Sequence, residues 1–152
     1  MRKPGQQEFE AFVAKIEPDL RRALFAVLGV ERGREATAEA LAWAWEHWAR
    51  TKRLDNPTGY LFRVGQSRSR PRRQRPVFVR SEWSDPVVEP RLGDALAELS
   101  EGQRTAVVLV HGFGWTMREV AELNGISVST VQTHLERGLK NLREALEVED
   151  RA

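Results

Sequence analysis

Ser129, Thr130, Thr133, Arg137 and Lys140 fall on one side of the last helical stretch of this 152-residue chain. At about 100° per residue, with Val131 turned inward, they lie opposite an apolar stripe of Val131, Leu135, Leu139, Leu142 and Leu146. Short hydroxyl side chains at a helix start allow close approach to base edges, and basic side chains further along suit phosphates. His134, on the flank of the same helix, is within reach of a phosphate, and Arg118 in the preceding helix joins the set. Glu136 also sits near this face, so the surface is not uniformly basic.

A second group lies upstream. From Asn56 to Ser81 there is no acidic residue, yet there are seven arginines. Uncompensated charge of that density makes a strong field for polyanions. Arg70, Arg72, Arg73 and Arg75 are therefore candidates for a phosphate-binding arm, the alternative being a solvated linker. The third group is aromatic. Leu41, Trp45 and Trp48 share one helix face and read as core, whereas Trp43 projects nearly opposite, beside Glu39 and Glu46. An exposed tryptophan flanked by carboxylates is an interface anchor; buried against another helix it would be a core residue.

Other chemistries are excluded. There are no cysteines, hence no disulfide scaffold, thiolate metal site or thiol nucleophile. His47, His111 and His134 do not have ligand spacing, and neither a phosphate-cradling glycine loop nor a nucleophile elbow appears. The reading is a non-enzyme that needs no metal or cofactor. The longest aliphatic run, Val107–Val110, is far short of a membrane span, and the N-terminus has no apolar segment of a secretory signal, so a cytoplasmic protein that does not engage membranes is expected.

The elements that position these groups all read as helix. Apolar residues recur at helical spacing from about Gln6 to Leu28, with Pro18 starting a second helix or kinking the first. Gly29 and Gly33 break the pattern, and a long helix is expected from about Glu35 to Lys52. Asn56-Pro57 is an N-cap followed by proline at the first helical position, opening a helix that Pro71 stops within a few residues of Gln66. Residues 71–91 hold four of the seven prolines and lack any period, which predicts a basic linker; Val77-Phe78-Val79 is its one β-like triplet. Beyond it come a short helix through Leu92, Leu96 and Leu99 and two capping boxes, Ser100–Gln103 and Thr116–Glu119. The second box opens a short helix ending near Leu123. A turn with Gly125 and the cap Ser127 then lead into the long last helix. Ala121 is small where two helices must cross closely, and Ile126 and Val131 are apolar where the second docks on the first: the layout of a helix-turn-helix. The fold class is all-α, with a helical bundle at 1–70, a linker at 71–91 and a four-helix module at 92–148.

Residues 95–146 resemble region 4 of bacterial sigma factors of the short, extracytoplasmic-function type in the sigma-70 family. The motifs that carry this are Leu99 with Gln103-Arg104, Glu119-Val-Ala-Glu-Leu123, Gly125-Ile-Ser127 and Ser129-Thr-Val-Gln-Thr-His-Leu135 followed by Arg137. The stretch TVQTHL is also similar to the LuxR-type DNA-binding domain, but the flanking leucine and arginine pattern favours the sigma reading. Asn56-Pro-Thr-Gly-Tyr-Leu-Phe-Arg-Val-Gly65 resembles, more loosely, part of region 2 of the same family, with Tyr60 at that family's tryptophan position. The first half departs from the family in lacking its Asp…Gln-Glu patch between Glu35 and Lys52, and Ser67 stands where asparagine is common. The resemblance implies transcription initiation, with promoter DNA and core RNA polymerase as partners and an anti-sigma protein as a further one. The alternatives are a helix-turn-helix repressor or activator without polymerase recruitment, and an interaction module that titrates another factor.

Overall fold

The structure is a computed structural model and describes residues 3–69 and 91–151. Among them it is all-α, with α1 Gln6–Leu28, α2 Val30–Glu46, α3 Trp48–Thr51, α4 Pro57–Arg68, α5 Leu92–Ala97, α6 Glu101–Val107, α7 Met117–Asn124 and α8 Val128–Arg151. After α6 the chain widens into one π-helical turn, Val108–Gly112, in which Phe113 N–H reaches Val108 O at 3.1 Å. Such insertions re-aim a helix end; here the turn delivers Trp115 edge-on to Phe62 of α4, centroids 6.1 Å apart.

Three expectations about the N-terminal helices need correction. Pro18 lies inside α1 and does not divide it. Gly33 does not break α2 but sits within it: a Cβ there would come 2.9 Å from the Phe25 backbone, so glycine lets α1 and α2 touch. The long helix begins earlier than expected and ends at His47, with α3 a separate short turn. Gly65 plays the Gly33 role on the other side of α2, since its Cβ would lie 2.7 Å from Ala36 O. The basic linker, its arginines Arg70, Arg72, Arg73 and Arg75, and the triplet Val77–Val79 lie outside the described residues.

The two halves share one core. Leu20, Leu24, Val27, Leu61 and Phe62 from the first join Leu109, Val120 and Val131 from the second, all fully buried. Burial of apolar area supplies the driving force; polar contacts fix the register of the seam. Arg32 donates to Glu101 at 2.8 Å and to Ser69 Oγ at 2.9 Å, and Gln66 Nε2 donates to Glu101 at 3.2 Å. Arg104, 4% exposed, donates from Nε to Val27 O at the end of α1 and from Nη1 to Leu99 O at 3.0 Å and Leu96 O at 3.4 Å. Burial pushes its pKa below the ordinary arginine value, an effect opposed by the nearby Glu101 charge and reinforced by Arg32.

Trp43 is also a core residue, which selects burial against another helix over the exposed interface anchor. It is 7% exposed and stacks on His47 with centroids 4.4 Å apart, and it packs on Tyr60 of α4 at 5.3 Å. Arg50 covers the pair, 5.8 Å from the Trp43 ring and 5.4 Å from that of Tyr60. Trp45 and Trp48, expected in the core, are half-buried against Phe9 and Phe12. Glu39 and Glu46 are exposed on α2.

Candidate nucleic-acid interface

The helix-turn-helix is assembled by local chemistry. Thr116 Oγ1 accepts the Glu119 N–H at 3.1 Å while the Glu119 carboxylate accepts from Thr116 N, and this reciprocal box starts α7. Gly125 ends it with φ +65°, a conformation that costs other residues a Cβ clash. Ile126 N–H closes back on Ala121 O at 3.1 Å. Ser127 Oγ then accepts Thr130 N–H at 3.1 Å and caps α8. Val131, fully buried, and Ala121, 4% exposed, lie where the helices cross. Gly138 lets α8 lie against α6: a Cβ there would meet Val107 Cγ2 at 2.8 Å. Ile126 does not dock as expected and stays 38% exposed.

The outward face of α8 is open. Ser129, Thr133, Arg137 and Lys140 are exposed, as is Arg118 in the first turn of α7. Thr130 and His134 are half-buried on one flank. The His134 ring turns back to Gly102, where a Cβ would approach it to 3.0 Å, and it borders a groove of about 440 Å³ between the two halves together with Arg32, Arg63 and Gln66. The structure therefore groups Ser129, Thr133, Arg137 and Lys140 on one surface and sets His134 apart from them. The hydroxyls are partly engaged: Thr133 Oγ1 donates to Ser129 O at 3.0 Å, and Thr130 Oγ1 lies 2.8 Å and Ser129 Oγ 3.0 Å from Ser127 Oγ. Gln132, which is not among the residues expected from the sequence, is exposed and bonded to Glu136.

Among the described residues no three His, Asp or Glu side chains converge in a way that could hold a metal ion, and no helix is long and apolar enough to cross a membrane. What the surface can do chemically is bind. Exposed basic groups neutralise phosphate, and helix-borne polar groups meet base edges.

An all-α chain whose second half ends in a helix-turn-helix with an open polar and basic face has the layout found in nucleic-acid-reading proteins. Residues 90–142 match the sigma-70, region 4 family. The RNA polymerase sigma factor CarQ of Myxococcus xanthus is 38% identical over 71 residues, which are 47% of this chain and 41% of that protein. The chain thus matches about two fifths of the length of this curated relative. The sigma factor RpoE of Bartonella quintana, solved in complex with the anti-sigma factor NepR, has the same fold at 17% identity, with a TM-score of 0.71 over 93% of this chain and 98% of that one. CnrH, solved with the cytosolic domain of CnrY, is similar at 20% identity, with a TM-score of 0.68 over 95% of this chain and 91% of that one. Residues 90–142 thus carry the sigma-70, region 4 pattern, and the chain as a whole shares the fold of these two solved proteins.

Proposed function

We propose that this chain acts in transcription initiation as a sigma factor. Its α8 enters the major groove of a promoter element, and its N-terminal bundle contacts core RNA polymerase. The observation that carries this reading is the capped α7–Gly125–α8 unit with Ser129, Thr133, Arg137 and Lys140 exposed on one face. Residues 1–70 act as a region 2-like domain, 71–91 as a basic linker and 92–148 as the region 4 domain. Glu39 and Glu46, exposed on α2, are offered to the polymerase; Trp43 supports that surface from beneath. Both solved neighbours are complexes, one with an anti-sigma factor and one with a cytosolic protein domain, which supports an anti-sigma protein as a further partner. The work is differential binding in the cytoplasm, with no covalent chemistry.

The test is capture of core RNA polymerase by the full chain, followed by transcription from a library of DNA fragments. Initiation that depends on both components supports the sigma reading. DNA binding without polymerase capture selects a repressor or activator instead.

The linker arginines make a separate prediction. If Arg72 and Arg73 each neutralise a phosphate, replacing both by glutamine weakens binding to all sequences alike. It also lowers the log–log salt slope by about 0.9 for each phosphate left without its arginine. An unchanged slope in a salt titration of duplex binding leaves the segment as a tether.

A further inference from the structure

The hydroxyls on the outward face of α8 are short and locally engaged, Thr133 with Ser129 O and Ser129 and Thr130 with Ser127 Oγ, so the base-reading groups should be sought among its longer side chains. Gln132 is exposed, lies in the second turn directly after the buried Val131, and donates from Nε2 to Glu136 Oε1 at 3.2 Å. A carboxylate only accepts, so the bond settles which end of the amide faces Glu136: the NH₂ group. A primary amide has two N–H donors and one carbonyl. One N–H suffices for Glu136; when it is the one remote from Oε1, the other N–H and Oε1 remain side by side, a donor beside an acceptor. That pattern is the complement of the major-groove edge of adenine, which presents the N7 acceptor beside the N6 amino donor.

We propose that Gln132 reads an adenine in the major groove and that Glu136 is its positioning residue. This rests on the reading of α8 as the DNA-reading helix. It also accounts for a carboxylate on a face otherwise carrying Arg137 and Lys140. Facing DNA, Glu136 is repelled by phosphates, so its presence lowers affinity for every sequence. Held against Gln132, it restricts the amide to the orientation that fits one base, which raises discrimination. The two residues should therefore act as one unit, and Arg137 should differ from Glu136 in sign.

The experiment selects duplexes from random DNA with the full chain, alone and together with core RNA polymerase, and then measures affinity for the selected duplex and its single A·T to G·C changes. The parent should prefer adenine at one position by about 5- to 150-fold. Gln132→Ala should abolish that preference while leaving the other positions and the salt slope intact. Glu136→Ala should weaken the same preference and raise affinity for unrelated DNA. The double variant should be no worse than Gln132→Ala, since contacting residues couple. Gln132→Met, close in length and helix propensity, guards against a folding effect. An unchanged selected sequence for Gln132→Ala and Gln132→Met overturns the proposal while leaving DNA reading by α8 in place. Additive losses in the double variant overturn the positioning role. A parent chain that enriches no sequence under either condition overturns the DNA reading and this inference with it.

Discussion

Replacing Trp43 by alanine lowers the unfolding free energy by about 3–5 kcal/mol, the range for truncating a buried aromatic side chain. The ring is 7% exposed and lies between His47, Tyr60 and Arg50, which also donates to Tyr60 Oη at 3.0 Å. Truncation leaves a cavity where α2 meets α4 and removes the face on which Arg50 rests. Its cation–π share, at an exposed arginine, is roughly 0.5–1 kcal/mol, so packing dominates the loss. Trp43→Phe keeps most of the apolar area and should cost markedly less. Urea denaturation of the full chain measures both. A variant with parental stability but abolished polymerase capture would restore the tryptophan as an interface anchor and remove it from the core.

That residue also shows where sequence reading was limited. Large side chains drew attention to the stripe of Leu41, Trp45 and Trp48, but the buried face of α2 is Gly33, Ala36, Thr37, Ala40, Trp43 and Ala44. Small residues give a weak hydrophobic signal, yet they line the core because Gly33 and Gly65 bring α1 and α4 so close to α2. A helix touched on both sides has no simple outward face, so a wheel drawn for one partner misplaces Trp43. The C-terminal half was easier to read. Its capping boxes, the left-handed Gly125 and the Ser127 cap are local signals, and each is present as expected. The stripe of α8 likewise predicts the outward placement of Ser129, Thr133, Arg137 and Lys140, though Thr130, expected with them, is half-buried. The wheel could not show what each outward group bonds to: His134 turned under Gly102, Thr133 tied to Ser129 O, and Gln132 held by Glu136. Those depend on side-chain torsions and on neighbours from other elements. The seam between halves was equally hidden, since Arg32 meets Glu101 across 69 positions in the chain.

Arg104→Ala should cost several kcal/mol, more than removal of the seam ion pair. Helix C-termini leave carbonyls without intrahelical partners, and Arg104 answers Val27 O near the end of α1 and Leu99 O beyond the end of α5, with a longer bond to Leu96 O, which also accepts the Leu99 N–H. A cation there also complements the negative ends of both helices. Each buried carbonyl left unpaired costs about 1–3 kcal/mol, and the vacated space adds a cavity term. Arg104→Lys keeps the charge but offers one compact ammonium in place of a planar fork, so it should recover only part of the loss. The comparison is Arg32→Ala. The side chain of its partner Glu101 is 39% exposed, and a pair open to water on one side is worth about 1 kcal/mol or less. Denaturation of the three variants ranks the two interactions. Arg104→Ala at parental stability, or Arg32→Ala as the more damaging change, would mean that the Arg32–Glu101 pair between α2 and α6, and not the buried arginine, holds the first half to the C-terminal helices. With the expected order, Arg104, which lies within the region 4 match, stabilises its own domain and the first half through the same guanidinium.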